Sequence, residues 1–158
     1  MSEKVPMTPE GQVRLRDELK RLREVELPQV VKDIGTAREH GDLSENAEYH
    51  AAKERQGMIV ARINHIEQSL SRAEIIDPSK LSGSKIQFGA KVRLLNTDTD
   101  KEESFQIVGP EEADLKVGRI SVASPLAKGL LGREVGDEVK LQMPAGPRTY
   151  EVLEISFA

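Results

Sequence analysis

His40-Gly41-Asp42-Leu43-Ser44-Glu45-Asn46 is the stretch on which the reading of this chain turns. It lies between two long runs that both read as amphipathic helix, so the chain goes out, turns over a glycine and comes back. Before it, Leu15, Leu19 and Leu22, then Val30, Ile34 and Ala37, recur at three- and four-residue steps between charged residues. After it, Tyr49, Ala52, Gln56, Ile59, Ile63, Ile66, Leu70 and Ala73 form a heptad seam that only Gln56 breaks. Two such helices joined by a few residues must lie antiparallel. The second, from Ser44 to Ala73, is roughly 30 residues at about 1.5 Å each, a rod on the order of 45 Å. Ala37, Ala47, Ala51 and Ala52 are expected to line the seam near the turn and keep that end slender.

Further out, Thr8-Pro9-Glu10 is a helix start, with a hydroxyl at the cap and proline at the first position, where its missing N–H is not needed. Pro28 interrupts the first helix, because an interior proline removes one backbone hydrogen bond and crowds the carbonyl four residues back. The apolar phase slips at the same place, with Glu26 where the stripe calls for an apolar residue. A kink is expected there, after which the helix resumes to about Glu39.

Asp77-Pro78-Ser79-Lys80-Leu81-Ser82-Gly83-Ser84 is rich in turn formers and reads as a linker. Beyond it the period becomes two. Ile86, Phe88, Val92 and Leu94 suggest a first strand bent at Gly89; 96–101 is a polar turn; Phe105, Ile107 and Val108 suggest a second strand. Ile120-Ser121-Val122 leads into Ser124-Pro125, a cap followed by proline, and a short helix to Leu131. Val139, Leu141 and Met143, then Tyr150, Val152, Leu153, Ile155 and Phe157, supply the remaining strands. A phase change between Val152 and Leu153 indicates a bulge. The expected fold is α+β: residues 1–77 form an antiparallel coiled-coil hairpin, 78–84 a linker, and 85–158 a small antiparallel or mixed sheet packed on one short helix.

Composition narrows the function. The 158 residues carry a net charge of −4, and both halves are mildly acidic, so neither is a basic clamp that binds phosphate by bulk counterion release. The absence of cysteine removes disulfides, thiolate metal sites and a cysteine nucleophile. With no Trp, two Tyr and three Phe, stacking platforms for bases are scarce. No run approaches the length of a membrane span, and Met1-Ser2-Glu3-Lys4-Val5-Pro6 lacks a signal-peptide core, so a cytoplasmic protein without membrane contact is expected.

Asp42 and Glu45 carry the chemistry of the turn. Three apart at a helix start, they can point at one spot. Mg²⁺ is typically held by one or two protein carboxylates plus water and phosphate. Two acids on an exposed turn are too few to hold it alone, which implies an ion shared with a second macromolecule. The same spacing also matches a capping box, in which the two side chains satisfy the first backbone N–H groups of the following helix. Spacing leaves both readings open. Arg38, Lys53 and Arg55 flank the turn and could meet an RNA phosphate, although isolated basic residues on a charged helix are usually only solvated.

The segment Ala37-Arg38-Glu39-His40-Gly41-Asp42-Leu43-Ser44-Glu45-Asn46-Ala47-Glu48-Tyr49 closely resembles the tip signature of the GreA/GreB family of bacterial transcript cleavage factors. Phe88-Gly89-Ala90, Ile107-Val108-Gly109, the run from Ser121 to Gly132 and Val135-Gly136-Asp137 resemble that family's C-terminal half. The resemblance covers essentially the whole chain in order. It implies a coiled-coil hairpin followed by an FKBP-like domain, and a monomeric accessory factor rather than an enzyme.

By that resemblance the partner is RNA polymerase, entered through its secondary channel. Asp42 and Glu45 are the acids that help hold a catalytic Mg²⁺ with the polymerase's own carboxylates, so that backtracked nascent RNA is cleaved and arrested complexes are rescued. Gly41, Ser44, Asn46 and Tyr49 would support the tip. Arg38 and Lys53 match a modest basic patch that meets the RNA 3′ end, with Arg55 an addition. Ser124, Pro125 and Leu126 are candidate contacts of the C-terminal half with polymerase. Relatives with altered tips act as inhibitors, whereas here both acids stand in the cleavage-competent arrangement. A pure channel-binding module, whose acids only cap a helix, is the rival reading; a free-standing metal nuclease has too few ligands. Prolyl isomerase activity does not follow from the fold, because Phe88, Phe105, Tyr150 and Phe157 fall mostly on core-facing strand phases.

Overall fold

The computed structural model describes residues 3–41 and 45–157. The chain divides into two compact units, Gln12–Arg72 and a second formed by Met1–Gly11 together with Ala73–Ala158.

The first unit is the helical hairpin. Its outgoing limb is α1 (Pro9–Arg21), a π-helical turn (Leu22–Glu26) and α2 (Leu27–Arg38); its return limb is α3 (Ala47–Arg72). Thr8 caps α1 as its sequence predicts, its hydroxyl oxygen accepting from the Gly11 N–H at 3.1 Å. The kink expected at Pro28 takes the form of the π turn. Leu27 N–H bonds the carbonyl of Leu22, five residues back, and Pro28 has no N–H to give to the turn before it. One extra residue per turn also absorbs the phase slip at Glu26, so that Leu22 is followed on the seam by Leu27, Val30, Ile34 and Ala37. Leu22, Val30, Ile34 and Ala37 are buried, and Leu27 packs with Val30, Ile34 and Ala52.

The facing side of α3 buries Ala52, Ile63 and Ile66, with Tyr49 and Ile59 partly covered. Two corrections concern its N-terminal end. The helix begins at Ala47 instead of Ser44, and of the four alanines expected in the seam only Ala37 and Ala52 are there; Ala47 and Ala51 face outward. Ion pairs staple the limbs: Arg62 grips Glu18 through two bonds of 2.7 and 2.9 Å, and Arg23 pairs with Glu67. The Arg62 guanidinium holds the Glu18 carboxyl below its ordinary value.

The second unit contains two sheets. In the small one, β1 (Val5–Met7) pairs in parallel with β2 (Ala73–Ile75), with Val5 opposite Ala73. The strands β1 and β2, which the sequence reading places with the hairpin, therefore belong to this unit by their hydrogen bonds. The predicted linker is structured too: Asp77 caps a 3₁₀ turn at Pro78–Lys80, and Pro78 is buried.

The larger sheet has the order β5-β4-β3-β7-β6, from β3 (Lys91–Asn96), β4 (Lys101–Val108), β5 (Arg119–Ser121), β6 (Glu138–Met143) and β7 (Gly146–Ser156). Only the β4–β5 pairing is parallel, so the sheet is mixed. The first strand is shorter than its apolar pattern predicts. Residues 85–90 form an irregular segment in which Ile86 is buried but only Lys85 makes an isolated bridge, to Glu134, before the chain turns at Gly89. The bulge lies where predicted: Arg93 pairs with Glu154 and Leu94 with Val152, leaving Leu153 as the extra residue. Alternate residues Val92 and Leu94, Val139 and Leu141, Tyr150 and Val152 point to one face. There α4 (Pro125–Leu130) lays Leu126, Ala127 and Leu130 across them.

One buried acid has no counterpart in the sequence reading. Glu112, 5% exposed, follows β4 and turns back to the first turn of α1. One carboxylate oxygen accepts from the N–H groups of Thr8 at 3.0 Å and Gly109 at 2.9 Å, and the other accepts from the Thr8 hydroxyl. Gly11 is required by this approach, because a Cβ there would overlap the carboxylate.

Candidate functional site

The turn between α2 and α3 is built by backbone accounting at two helix ends. The final carbonyls of α2 have no partner further along the helix. Two are satisfied by tightening: Glu39 N–H bonds Thr36 at 3.2 Å and His40 N–H bonds Ala37 at 3.1 Å. Gly41 then takes φ +113°, a region that a side chain disfavours, and the chain leaves the helix.

Asn46 opens α3. Its carbonyl accepts the first helical bond, from His50 N–H at 3.1 Å, and its side-chain oxygen accepts from Tyr49 N–H at 3.0 Å. That is an N-cap. The side-chain NH₂ of the same residue donates to the Ala37 carbonyl at 2.6 Å, so one amide satisfies the end of α2 and the start of α3 together. A second tie runs beside it, the Arg38 guanidinium lying 5.8 Å from the centre of the Tyr49 ring.

This arrangement corrects the capping-box reading of Asp42-x-x-Glu45. The helix those acids were to cap begins later, and its cap is an amide. Glu45 is exposed, one residue before the cap. Asp42 and Ser44 lie outside the described residues. His40 stands near the turn, with Nδ1 3.3 Å from a Glu48 carboxylate oxygen. Among the described residues no three His, Cys, Asp or Glu side chains come together as a metal cluster.

The flanking cations separate into two sides. At 100° per residue Lys53 follows Tyr49 on the same flank of α3, which is also the flank reached by Arg38. Lys53 is exposed and donates to the Gln56 side chain at 3.3 Å. Arg55 lies past buried Ala52 on the opposite flank, 3.4 Å from the Asp33 carboxylate. There, with Thr36, Ala37, Glu48 and Ala51, it lines a groove of about 300 Å³. Arg38 and Tyr49 are thus in contact, Lys53 shares their flank of α3, and Arg55 does not.

In the second unit, Ser124 is spent as the cap of α4, its Oγ accepting from Ala127 N–H at 3.1 Å. Leu126 is 6% exposed and belongs to the core, so of the three residues considered for polymerase contact only Pro125 presents an exposed surface. Tyr150 is fully buried, and burial pushes its phenol up.

Sequence reasoning underrated Asn46 as the device that builds the turn. A signal existed, since asparagine is among the best N-caps. It was overshadowed by the better-known acidic pattern four residues earlier. Glu112 offered only a local capping signal toward Gly109, three residues before it, and none toward Thr8, which is 104 positions away.

Comparison with known proteins agrees with the architecture and extends over both units. The N-terminal domain model of the GreA/GreB transcription elongation factors matches residues 5–75, and the GreA/GreB C-terminal model matches residues 81–157. Transcription elongation factor GreA of Rhodospirillum rubrum is 55% identical over 155 residues, covering 98% of this chain and 99% of that protein. The GreA of Thermodesulfovibrio yellowstonii is 52% identical over 157 residues, with 99% of each chain covered. Among solved structures, GreA factor homolog 1 of Thermus thermophilus is 36% identical and covers 97% of this chain and 99% of that one, with a TM-score of 0.45. With two adjoining family models accounting for almost every residue and full-length relatives at this identity, the chain belongs to the GreA/GreB family of transcription elongation factors.

Proposed function

We propose that this protein acts on RNA polymerase during elongation, entering its secondary channel with the α2–α3 turn and stimulating endonucleolytic cleavage of backtracked nascent RNA. Asp42 and Glu45 are the working acids. The observation that carries this reading is the division of labour at the turn: Asn46 caps α3, and Glu45 is left exposed to solvent. A carboxylate committed to a helix cap would be a poor donor for anything else; one that is not committed is free to meet a partner.

The donor set fits Mg²⁺ as part of a shell. Exposed carboxylate oxygen is the ligand type Mg²⁺ prefers, and two acids leave positions for polymerase carboxylates and water. When bound, the ion would stabilise developing negative charge and lower the pKa of a coordinated water. The chain's own residues do the rest. Glu45 and Asp42 present oxygens at the end of the hairpin, and Arg38 and Lys53, on the flank of Tyr49, meet phosphates at the RNA 3′ end. The protein acts as a monomer, with Pro125 and the exposed surface around α4 contacting the polymerase exterior. Alone, it is catalytically silent.

The rival is a channel-binding module whose acids only cap a helix; the Asn46 cap on α3 supports the first reading. The test is Asp42→Asn and Glu45→Gln, assayed on halted polymerase complexes with Mg²⁺. Loss of RNA cleavage with retained polymerase binding is expected; cleavage that survives both changes overturns the reading. Cleavage of free RNA by the factor without polymerase would equally overturn it.

A further inference from the structure

We propose that Asn46 is a positioning residue for cleavage, a two-ended clamp that ties the end of α2 to the start of α3 on either side of the acids. This rests on the reading of Asp42 and Glu45 as the working acids.

Three features carry it. The Asn46 side chain bridges the last turn of α2 and the first turn of α3 through opposite ends of one amide, donating to Ala37 C=O at 2.6 Å and accepting from Tyr49 N–H at 3.0 Å. These anchors, Ala37 and Tyr49, lie on either side of Asp42 and Glu45 in sequence. Only an amide of this length can do both. Aspartate offers acceptors but no donor, and serine is one atom too short to span the gap. Finally, the Arg38 guanidinium over the Tyr49 ring joins the same two turns by side chains, a second tie that does not depend on the amide.

The bridge therefore matters for geometry more than for folding. Acids displaced by a fraction of an ångström still bring the hairpin to polymerase but meet the shared ion badly, and misplacement on this scale costs roughly ten- to a hundredfold in rate. The effect belongs in the rate at saturating factor, not in the concentration needed for saturation.

The experiment compares Asn46→Ser, Asn46→Asp and Asp42→Asn on halted polymerase complexes, varying factor and Mg²⁺ concentration. Both Asn46 variants keep an N-cap acceptor and lose the bridge to Ala37, aspartate for want of a donor and serine for want of reach. Asn46→Ser is the primary variant because it adds no charge beside the acids. The expected result for it is cleavage at saturating factor lowered about tenfold or more, a higher Mg²⁺ requirement, and an unchanged half-saturating factor concentration. Cleavage by Asn46→Ser at the unmutated rate overturns the proposal, as does a defect that is entirely a rise in half-saturating concentration. If Asp42→Asn also cleaves normally, the acid reading fails and the clamp with it; if Asp42→Asn is dead while Asn46→Ser is normal, only the clamp fails. Should Asn46→Asp lose activity and Asn46→Ser keep it, added charge and not the lost bridge is the cause, which again overturns the clamp.

Discussion

Glu112 and Glu45 each stand beside the start of a long helix, and their environments are opposite. At the first turn of α1 the cap is a hydroxyl, Thr8, and the nearby carboxylate of Glu112 is buried and bonded by Thr8 N–H, Thr8 Oγ and Gly109 N–H. At the first turn of α3 the cap is an amide, Asn46, and the nearby carboxylate of Glu45 is in water. A buried acid must have its charge satisfied by donors, so it becomes part of the scaffold. An acid excused from capping by a neutral neighbour keeps its lone pairs for something else. The difference separates a carboxylate built into the scaffold from one left in water at helix starts that look alike in sequence.

The comparison predicts a graded set of stabilities. Glu112→Ala, which leaves the buried N–H groups of Thr8 and Gly109 without their acceptor, should cost roughly 2–4 kcal/mol and show as a large drop in melting temperature. Gly11→Ala forces a methyl into the same carboxylate and should cost about 1–3 kcal/mol, measured in the same way. Asn46→Ala removes a cap and should cost about 1 kcal/mol; a larger loss would make the turn of α2 into α3 as structural as the Glu112 network.

A partly exposed pair lies lower on the scale. Glu18→Gln weakens the Glu18–Arg62 staple by about 0.5–1 kcal/mol, and the loss is pH-dependent. Its carboxyl is held below the ordinary glutamate value of 4.5 in the folded protein, first by the Arg62 hydrogen bond. The contribution is thus fully present above about pH 4.5 and disappears as pH falls through the lower folded value. Melts of the two proteins should converge on acidification below that point. The smallest effect on stability belongs to the turn acids: Glu45→Gln should change it by less than about 0.5 kcal/mol while abolishing cleavage. A substantial loss of melting temperature in that variant would erase the contrast with Glu112.

Much of the architecture was legible because it depends on local patterns. The seams from Leu15 to Ala37 and from Tyr49 to Ile66 repeat at helical spacing, Thr8-Pro9 and Ser124-Pro125 announce helix starts, and the slip at Val152-Leu153 marks a bulge that the β3–β7 register contains. The kink at Pro28 was legible too, though its π-helical form was not, since that follows from which side of the limb must meet α3. The turn was read less well. Asp42-x-x-Glu45 satisfies a local capping rule, but the backbone bonds decide where a helix starts, and these select Asn46. Residues 85–90 look like strand by alternation but form only an isolated bridge, because Ile86 is bonded to Gly132 and Arg133 and the chain then turns at Gly89 toward Ile107.

Local chemistry determined the helices, the strand order of polarity, the turns and the presence of acids at the end of a hairpin, since propensity, periodicity and capping act over a few residues. Tertiary structure alone decided what could not be local. It paired Val5–Met7 with Ala73–Ile75 across the whole hairpin, brought Glu112 to Thr8, set Arg55 on the flank away from Arg38 and Lys53, and made one asparagine bridge two helices. Each of these depends on which distant groups the packed chain leaves within hydrogen-bond reach, and that distance is not written in the order of the residues.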